Sequence, residues 1–245
     1  MAASASGEAV GLPRPVVSIH QPAYLPWLGY IDRIRRSDIF IVLDTVPFQK
    51  NSFQNRNKIR VANGWTWLTV PVELKGHTER PLCETRIDNR QDWQRKHWAT
   101  LSQNYARAPF ACPVLEWLRP FYETEWTGLA DLCCAMLTRH LEAFGVTTEI
   151  RRASQMECPA SKKGELVADL CRIAGAGSYI SGPLGRDYLD ESDFSRAGVA
   201  LAFDSYSHPT YPQFHPGFES HMAAIDLLAN VGDPAAVLAQ GAPQP

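Results

Sequence analysis

The sequence predicts an α/β protein with a mainly parallel, Rossmann-like three-layer sheet and a helical insert subdomain. Three observations predict it. Val16–His20 is a β-branched run, followed by an amphipathic segment and a second apolar run, Ile39–Leu43. Such a strand–helix–strand unit implies a parallel pair with a right-handed crossover. Strand-like and helix-like segments then alternate as far as Val199–Phe203. Between them, a stretch of 3.6-residue periodicity over about residues 91–144 interrupts the alternation.

In order, Val16–His20 reads as a buried strand ending in a polar tip, His20-Gln21. Pro22 and Pro26 force a turn, and Pro26 suits the first turn of a helix. Leu28, Ile31 and Ile34 form an apolar stripe, which leaves Asp32, Arg33, Arg35 and Arg36 expected to face water. Asn63-Gly64 between Lys58–Val61 and Trp65–Val72 is a hairpin signal. Trp93 to Phe144 reads as helices, the last carrying Leu129, Leu132, Met136 and Leu137 and stopped by Gly145. Val146–Arg151, Ser178–Ser181 and Val199–Phe203 are further strands, and Glu165–Ala174 a helix with Gly175 at its end. The proline-rich Ser207–Gly217 stretch is expected to be irregular, and His221–Leu228 a last helix. The expected organisation is a disordered lead-in (1–15), one domain (16–232) and a flexible tail (233–245).

Composition narrows the function classes. A chain of 245 residues with 45% hydrophobic and 20% charged residues is ordinary globular material. A net charge of −2 gives no global basic field for nucleic acid or an anionic membrane. No apolar run approaches the ~20 residues of a membrane span. The opening MAASASGEAVGLPRP lacks a cationic segment followed by an apolar core, so it does not read as a signal peptide. Cys83, Cys112, Cys133, Cys134, Cys158 and Cys171 show no C-x-x-C spacing, which fits free thiols in a reducing cytoplasm. No Cys/His cluster has ligand spacing, so neither a metal nor another cofactor is expected.

The chemistry-bearing residues converge on the carboxyl edge of the expected sheet, where open α/β sheets place ligands. His20 ends the first strand and is the candidate acid–base group, with Gln21 beside it. The loop from Gln49 to Lys58 supplies Lys50, Arg56 and Lys58 as cations and Asn51, Gln54 and Asn55 as amides, with no acid between Pro47 and Glu73. That composition suits a phosphate next to a hydroxyl-rich group. Lys75 and His77 flank a glycine in a further loop. Trp93, Lys96 and His97 share a helical face by i, i+3, i+4 spacing, which suits an anion or a stacked ring. Ser181, Gly182 and Asp187 follow a strand end, and His208 and Tyr211 sit in the proline-braced loop. Ser161, Lys162 and Lys163 precede a helix and read as its ordinary polar start.

The segments IHQPAYLPWLGYIDRIRRSD, FQKNSFQNRNKI, WLTVPV with KGH, the IDN to KHW stretch (Ile87–Trp98), SYISGP with RDYLD, and HPTYPQ resemble the WbqC-like protein family, over roughly Val16 to Asn230. One departure is Pro47, where a Gln is expected before the amide-rich loop. The resemblance implies surface-polysaccharide (O-antigen) or specialised-metabolite biosynthesis, in settings rich in amino-sugar enzymes. It points to a tailoring transferase forming an amide by acyl or aminoacyl transfer to an amine, such as a nucleotide-linked amino sugar. In that scheme His20, Lys50 and Asn51 are catalytic, the loop cations hold phosphates, and an acyl carrier protein is an admissible donor partner. Two alternatives stay open. The His-tipped strand before a helix also resembles the start of the HxGH nucleotidyltransferases, although the second His is missing. A non-catalytic nucleotide-sugar binding module would use the same loop.

Overall fold

The two apolar runs that open the chain pair as neighbouring parallel strands, β1 (Val16–His20) and β2 (Ile39–Val42), joined by helix α1 (Leu28–Arg35). The computed structural model describes residues 11–76, 79–157 and 159–241. The polar segment after β2 leads to a separate antiparallel hairpin, β3 (Arg56–Val61) and β4 (Gly64–Thr69). Its two-residue loop is Ala62-Asn63, because Gly64 already pairs with Val61; the turn therefore lies one residue earlier than Asn63-Gly64. Three helices follow: α2 (Trp93–Tyr105), α3 (Ala111–Glu123) and α4 (Leu129–Ala143). The chain then returns through β5 (Glu149–Arg152), α5 (Lys163–Ile173), β6 (Ser178–Ser181), α6 (Glu191–Ala197) and β7 (Ala200–Phe203). It ends with α7 (Ala224–Asn230) and α8 (Pro234–Gln240).

The main sheet has the order β5-β2-β1-β6-β7, and all of its pairs are parallel. The period-2 alternation of strand side chains builds two cores. Val17, Ile19, Ile39 and Ile41 face Leu166, Val167 and Leu170 of α5 and Phe194 of α6. Phe40 and Val42 face the other way, into a core shared with α1, the hairpin and the α2–α4 helices. Helices thus cover both faces, which is a three-layer α/β fold of the Rossmann-like kind. The chain leaves β1 toward β2 on one side, and β6 comes back on the other. That reversal puts the topological switch point between β1 and β6.

One element goes beyond the sequence reading and two expectations fail, each for an identifiable reason. Glu191–Ala197 is a helix, capped by Asp190 accepting from Ser192 N and ended by Gly198 at φ 71°. Residues 234–240 are helix and not tail: the Asp233 carboxylate accepts from Ala236 N, Pro234 opens the first turn, and Leu238 is buried. Asp32 and Arg33 do not face water. They are 0% and 5% exposed, because α1 is only eight residues long and is covered on more than its apolar stripe.

Candidate functional site

A cavity of about 1120 Å³ opens at the carboxyl ends of β1, β6 and β7, at the switch point. Its floor is made by the polar tip of β1 and the end of β6, so His20, Gln21, Ser181 and Gly182 all line it. The side of α1 contributes Gly29 and Arg33, and Trp27 stands just before that helix. Lys163 and Leu166 from the start of α5 form another wall. Asp204, Tyr206 and His208, from the segment after β7, close the remaining side.

His20 is fixed by its surroundings. Its ring stands edge-on to Trp27 and Tyr30, with centroids 5.4 and 5.1 Å away. Nδ1 lies 2.8 Å from Gln21 O. A carbonyl only accepts, so Nδ1 carries the proton and Nε2 keeps its lone pair. Burial, with the Arg33 charge as a lesser cause, lowers the His20 pKa to about 4, against the Gln21 bond that raises it. The ring is a neutral acceptor at physiological pH.

The Gln21 side chain is oriented by a relay. Gln49 N donates to Gln54 Oε1 at 2.7 Å, which leaves Gln54 Nε2 to donate to Gln21 Oε1 at 2.8 Å. Gln21 Nε2 is left as a donor, with no partner among the described residues, and lines the cavity with His20. His208 repeats the His20 pattern across the cavity: Nδ1 donates to Pro209 O at 2.9 Å, and Nε2 has no partner. Burial and the neighbouring His221 and Lys58 lower its pKa to about 4.

Beneath the cavity lies a buried ionic group. Asp32 accepts from Arg35 Nη2 at 2.7 Å and from Arg36 Nε at 2.8 Å, and Arg36 also pairs with Asp204. Arg33 joins none of these pairs, and its Nε is sealed from solvent with no acceptor among the described residues. Its Nη1 fills the space that a Cβ on Gly182 would need.

The loop cations lie elsewhere. The 56–58–60 side of β3 faces the 65–67–69 side of β4. Arg56 is thereby laid over Trp67 at 4.3 Å and Lys58 over Trp65 at 4.9 Å, outside the cavity lining. Lys50 and Asn51 are exposed at the loop tip, where Asn51 O accepts from Arg56 Nη2 at 2.7 Å and Asn51 itself has φ 63°. Asn55 is buried and donates to Val70 O. Gln54 does not line the cavity itself but bonds two residues that do, Gln21 and Gln49. Lys75, Lys96 and Asp187 are exposed and do not line it. Trp93 and His97 belong to the core, where His97 Nδ1 meets the Tyr24 hydroxyl at 2.8 Å and Trp93 Nε1 donates to Asn89. Tyr211 is also buried, its hydroxyl donating to Asp226. His77 lies outside the described residues.

Of the expected residues, the cavity therefore gathers His20, Gln21, Ser181, Gly182 and His208. It adds Arg33, Trp27, Lys163, Tyr206 and His221, for which the sequence offered weak signals at best. Lys163 was the most accessible of these, as a lysine at a helix start. Among the described residues, no group of three or more His, Cys, Asp or Glu side chains could hold a metal ion. No described helix is long and apolar enough to cross a membrane.

The fold is α/β, with a cavity at the switch point of a parallel sheet, the place where such sheets commonly hold ligands. The chain belongs to the WbqC-like protein family, whose model matches residues 21–237. It is 37% identical over 218 residues to the uncharacterized protein Rv1507c of Mycobacterium tuberculosis H37Rv, spanning 88% of this chain and 94% of that protein. No solved structure matches the chain.

Proposed function

We propose that the protein is a biosynthetic tailoring transferase that forms an amide, passing an acyl or aminoacyl group to an amine such as that of a nucleotide-linked amino sugar. The observation that carries this is the pairing, on one cavity wall, of a free imidazole Nε2 with a free carboxamide donor. Amide formation from a thioester needs those two functions: an acceptor for the amine proton and a donor for the carbonyl oxygen. Membership of the WbqC-like family supports a tailoring role in general terms. The acyl transfer and its substrates rest on the site chemistry and on the residues that resemble the family.

In this mechanism the amine nitrogen attacks the thioester carbon, and the carbonyl electron pair moves onto oxygen, which accepts from Gln21 Nε2. The amine proton passes to His20 Nε2. The tetrahedral species then collapses, the C–S bond breaks, and the leaving thiolate takes the proton from His20. A pKa near 4 keeps the acceptor form filled at neutral pH and makes the ring a ready proton donor in the second step. Catalysis moves from the exposed Lys50 and Asn51 to Gln21 in this account. An acyl carrier protein would be the donor partner, and the reducing cytoplasm the setting, in surface-polysaccharide or specialised-metabolite biosynthesis.

A mass-spectrometric turnover assay tests it, with nucleotide-linked amino sugars offered together with acyl or aminoacyl carrier thioesters, and in parallel with ATP. The expected product carries the mass of the transferred acyl group, and His20→Ala lowers kcat by about 10²–10⁴-fold. Pyrophosphate release from ATP would replace acyl transfer by nucleotidyl transfer. Binding without product from any donor would leave a non-catalytic binding module. Full turnover in His20→Ala would remove the imidazole from the mechanism.

A further inference from the structure

We propose that Arg33 is the anchor for an oxyanion of the substrate, a carboxylate or a phosphate, held in the cavity beside His20 and Gly182. This rests on the cavity being the substrate site but not on the transfer reaction.

Arg33 is 5% exposed and lines the cavity. A buried guanidinium is ordinarily paired, because desolvating it without an anion is costly. The acids within reach of its helix are already engaged. Asp32 binds Arg35 and Arg36, and Asp204 binds Arg36. Arg35 and Arg36 thus match the two carboxylates, and Arg33 makes no ion pair among the described residues. Its Nε is sealed from solvent and has no acceptor among the described residues, so an anion in the cavity would meet the Nη edge of the guanidinium.

The surroundings are shaped to keep the guanidinium where it is. Gly182 ends the floor strand, and Nη1 of Arg33 stands where any side chain at that position would begin. Gly182 has φ −65° and ψ 164°, conformations open to every residue, so the backbone does not demand glycine there. The space does. A second cation, Lys163, lines the same cavity, and the lining acid Asp204 is neutralised by Arg36. The part of the guanidinium that lines the cavity, with no carboxylate bonded to it among the described residues, is suited to an oxyanion. The anion would sit next to the His20 acceptor, which places the reacting end of the substrate against the imidazole.

The role that the sequence assigned to Lys50, Arg56 and Lys58 passes here to a residue of α1. Arg56 and Lys58 lie over Trp67 and Trp65, Lys50 is exposed at the loop tip, and none of the three lines the cavity.

The test is NMR of the Arg33 Nε–H resonance, assigned by its loss in Arg33→Met, during titration with inorganic phosphate or acetate at ionic strength matched with sodium chloride. A saturable shift with phosphate alone assigns a phosphate group, with acetate alone a carboxylate, and with both the shared oxyanion chemistry. Thermal shifts should follow the same anion in the wild type. Gly182→Ala, which forces Nη1 to move, should weaken binding by about 10–100-fold, the loss expected from a charged hydrogen bond. It also keeps the test open should Arg33→Met fold poorly. The proposal is overturned if neither anion shifts the resonance more than chloride does, or if Gly182→Ala binds as tightly as the wild type. Anion binding through Arg33 in a protein that turns over no donor would remove the transferase and leave the anchor. Turnover unimpaired in a folded Arg33→Met would remove the anchor and leave the transferase.

Discussion

Two neighbouring charged residues of α1, both buried, should respond to neutralisation with opposite signs. Asp32 is fully buried and takes hydrogen bonds from Arg35 Nη2, Arg35 Nε and Arg36 Nε at 2.7, 3.3 and 2.8 Å. Asp32→Asn removes the anion that three donors were built around, and breaking a buried pair from one side costs about 3–5 kcal/mol. Arg33 has no such partner, so its buried Nε carries an unsatisfied-donor cost of about 1–3 kcal/mol in the anion-free protein. Arg33→Met keeps a long unbranched stem and removes the polar group, and it should stabilise the anion-free protein by about 1–2 kcal/mol. At about 2–4 °C per kcal/mol for a chain of this size, the first variant should melt roughly 6–20 °C lower and the second a few degrees higher. Urea unfolding in a chloride buffer, followed by fluorescence and by circular dichroism, measures both midpoints. Repeating it with phosphate or acetate should erase the advantage of Arg33→Met, because a bound anion stabilises only the wild type. A fall of 1 kcal/mol or more in chloride-only buffer for Arg33→Met would mean that the guanidinium has a structural partner, and the charge count above would be wrong.

Acid sensitivity provides a second test. His140 is fully buried, its Nδ1 donates to Met136 O, and burial lowers its pKa to about 4. Between the ordinary value of about 6.5 and that of the folded ring, the unfolded chain binds a proton that the folded chain refuses, so stability falls as pH drops through this window. The loss is about 1.4 kcal/mol per pH unit; His140→Asn, whose amide can retain the bond to Met136 O, should flatten the pH dependence of the urea midpoint by that amount, and an unchanged slope would contradict the burial argument. Tyr211 separates a structural role from a binding one. Tyr211→Phe should cost about 1.5–3 kcal/mol by taking a donor from buried Asp226, while leaving Arg33 anion binding unchanged, and weakened binding in a stable variant would return Tyr211 to the site.

The parts of the fold that the sequence reveals are those set by local patterns. Val16–His20 and Ile39–Leu43 are apolar runs separated by an amphipathic turn of chain, and they became parallel neighbours in the register Val17 to Ile39. Gly182 after Ser178–Ser181 and His208 among prolines were readable for the same reason: strand ends and braced loops announce the sheet edge. Residues whose roles depend on distant partners were not. Arg33 follows the usual rule that charges on a helix face water until the short helix is enclosed, and Arg36 finds Asp204, 168 positions away. Lys58 looked like a phosphate ligand because its cross-strand register with Trp67, which carries it over Trp65, is a matter of pairing and not of composition. Trp93 and His97 share a helical face as expected, but periodicity does not say whether that face looks outward or into the core.

Unsatisfied groups point to the site more directly than composition does. Among the described residues, the buried side-chain atoms without a partner include Arg33 Nε, Tyr206 hydroxyl and His208 Nε2, and all three residues line the same cavity. His20 Nε2 and Gln21 Nε2 add two more unpaired groups on its floor. The others lie away from the cavity lining, at Thr45, at the neighbours Asn55 and Arg56, at Ser102 and at His140. Each sealed, unpaired group costs stability, and three of them on residues around one cavity mark it as the place where the fold departs most from full satisfaction. The mixture is informative too: imidazole acceptors, an amide donor and a cation call for a ligand that offers a proton, an oxygen that gains charge and a permanent anion. An amine nucleophile carrying an oxyanion, meeting a carbonyl, supplies all three. A purely apolar ligand, or a second copy of the protein, would leave them unmet.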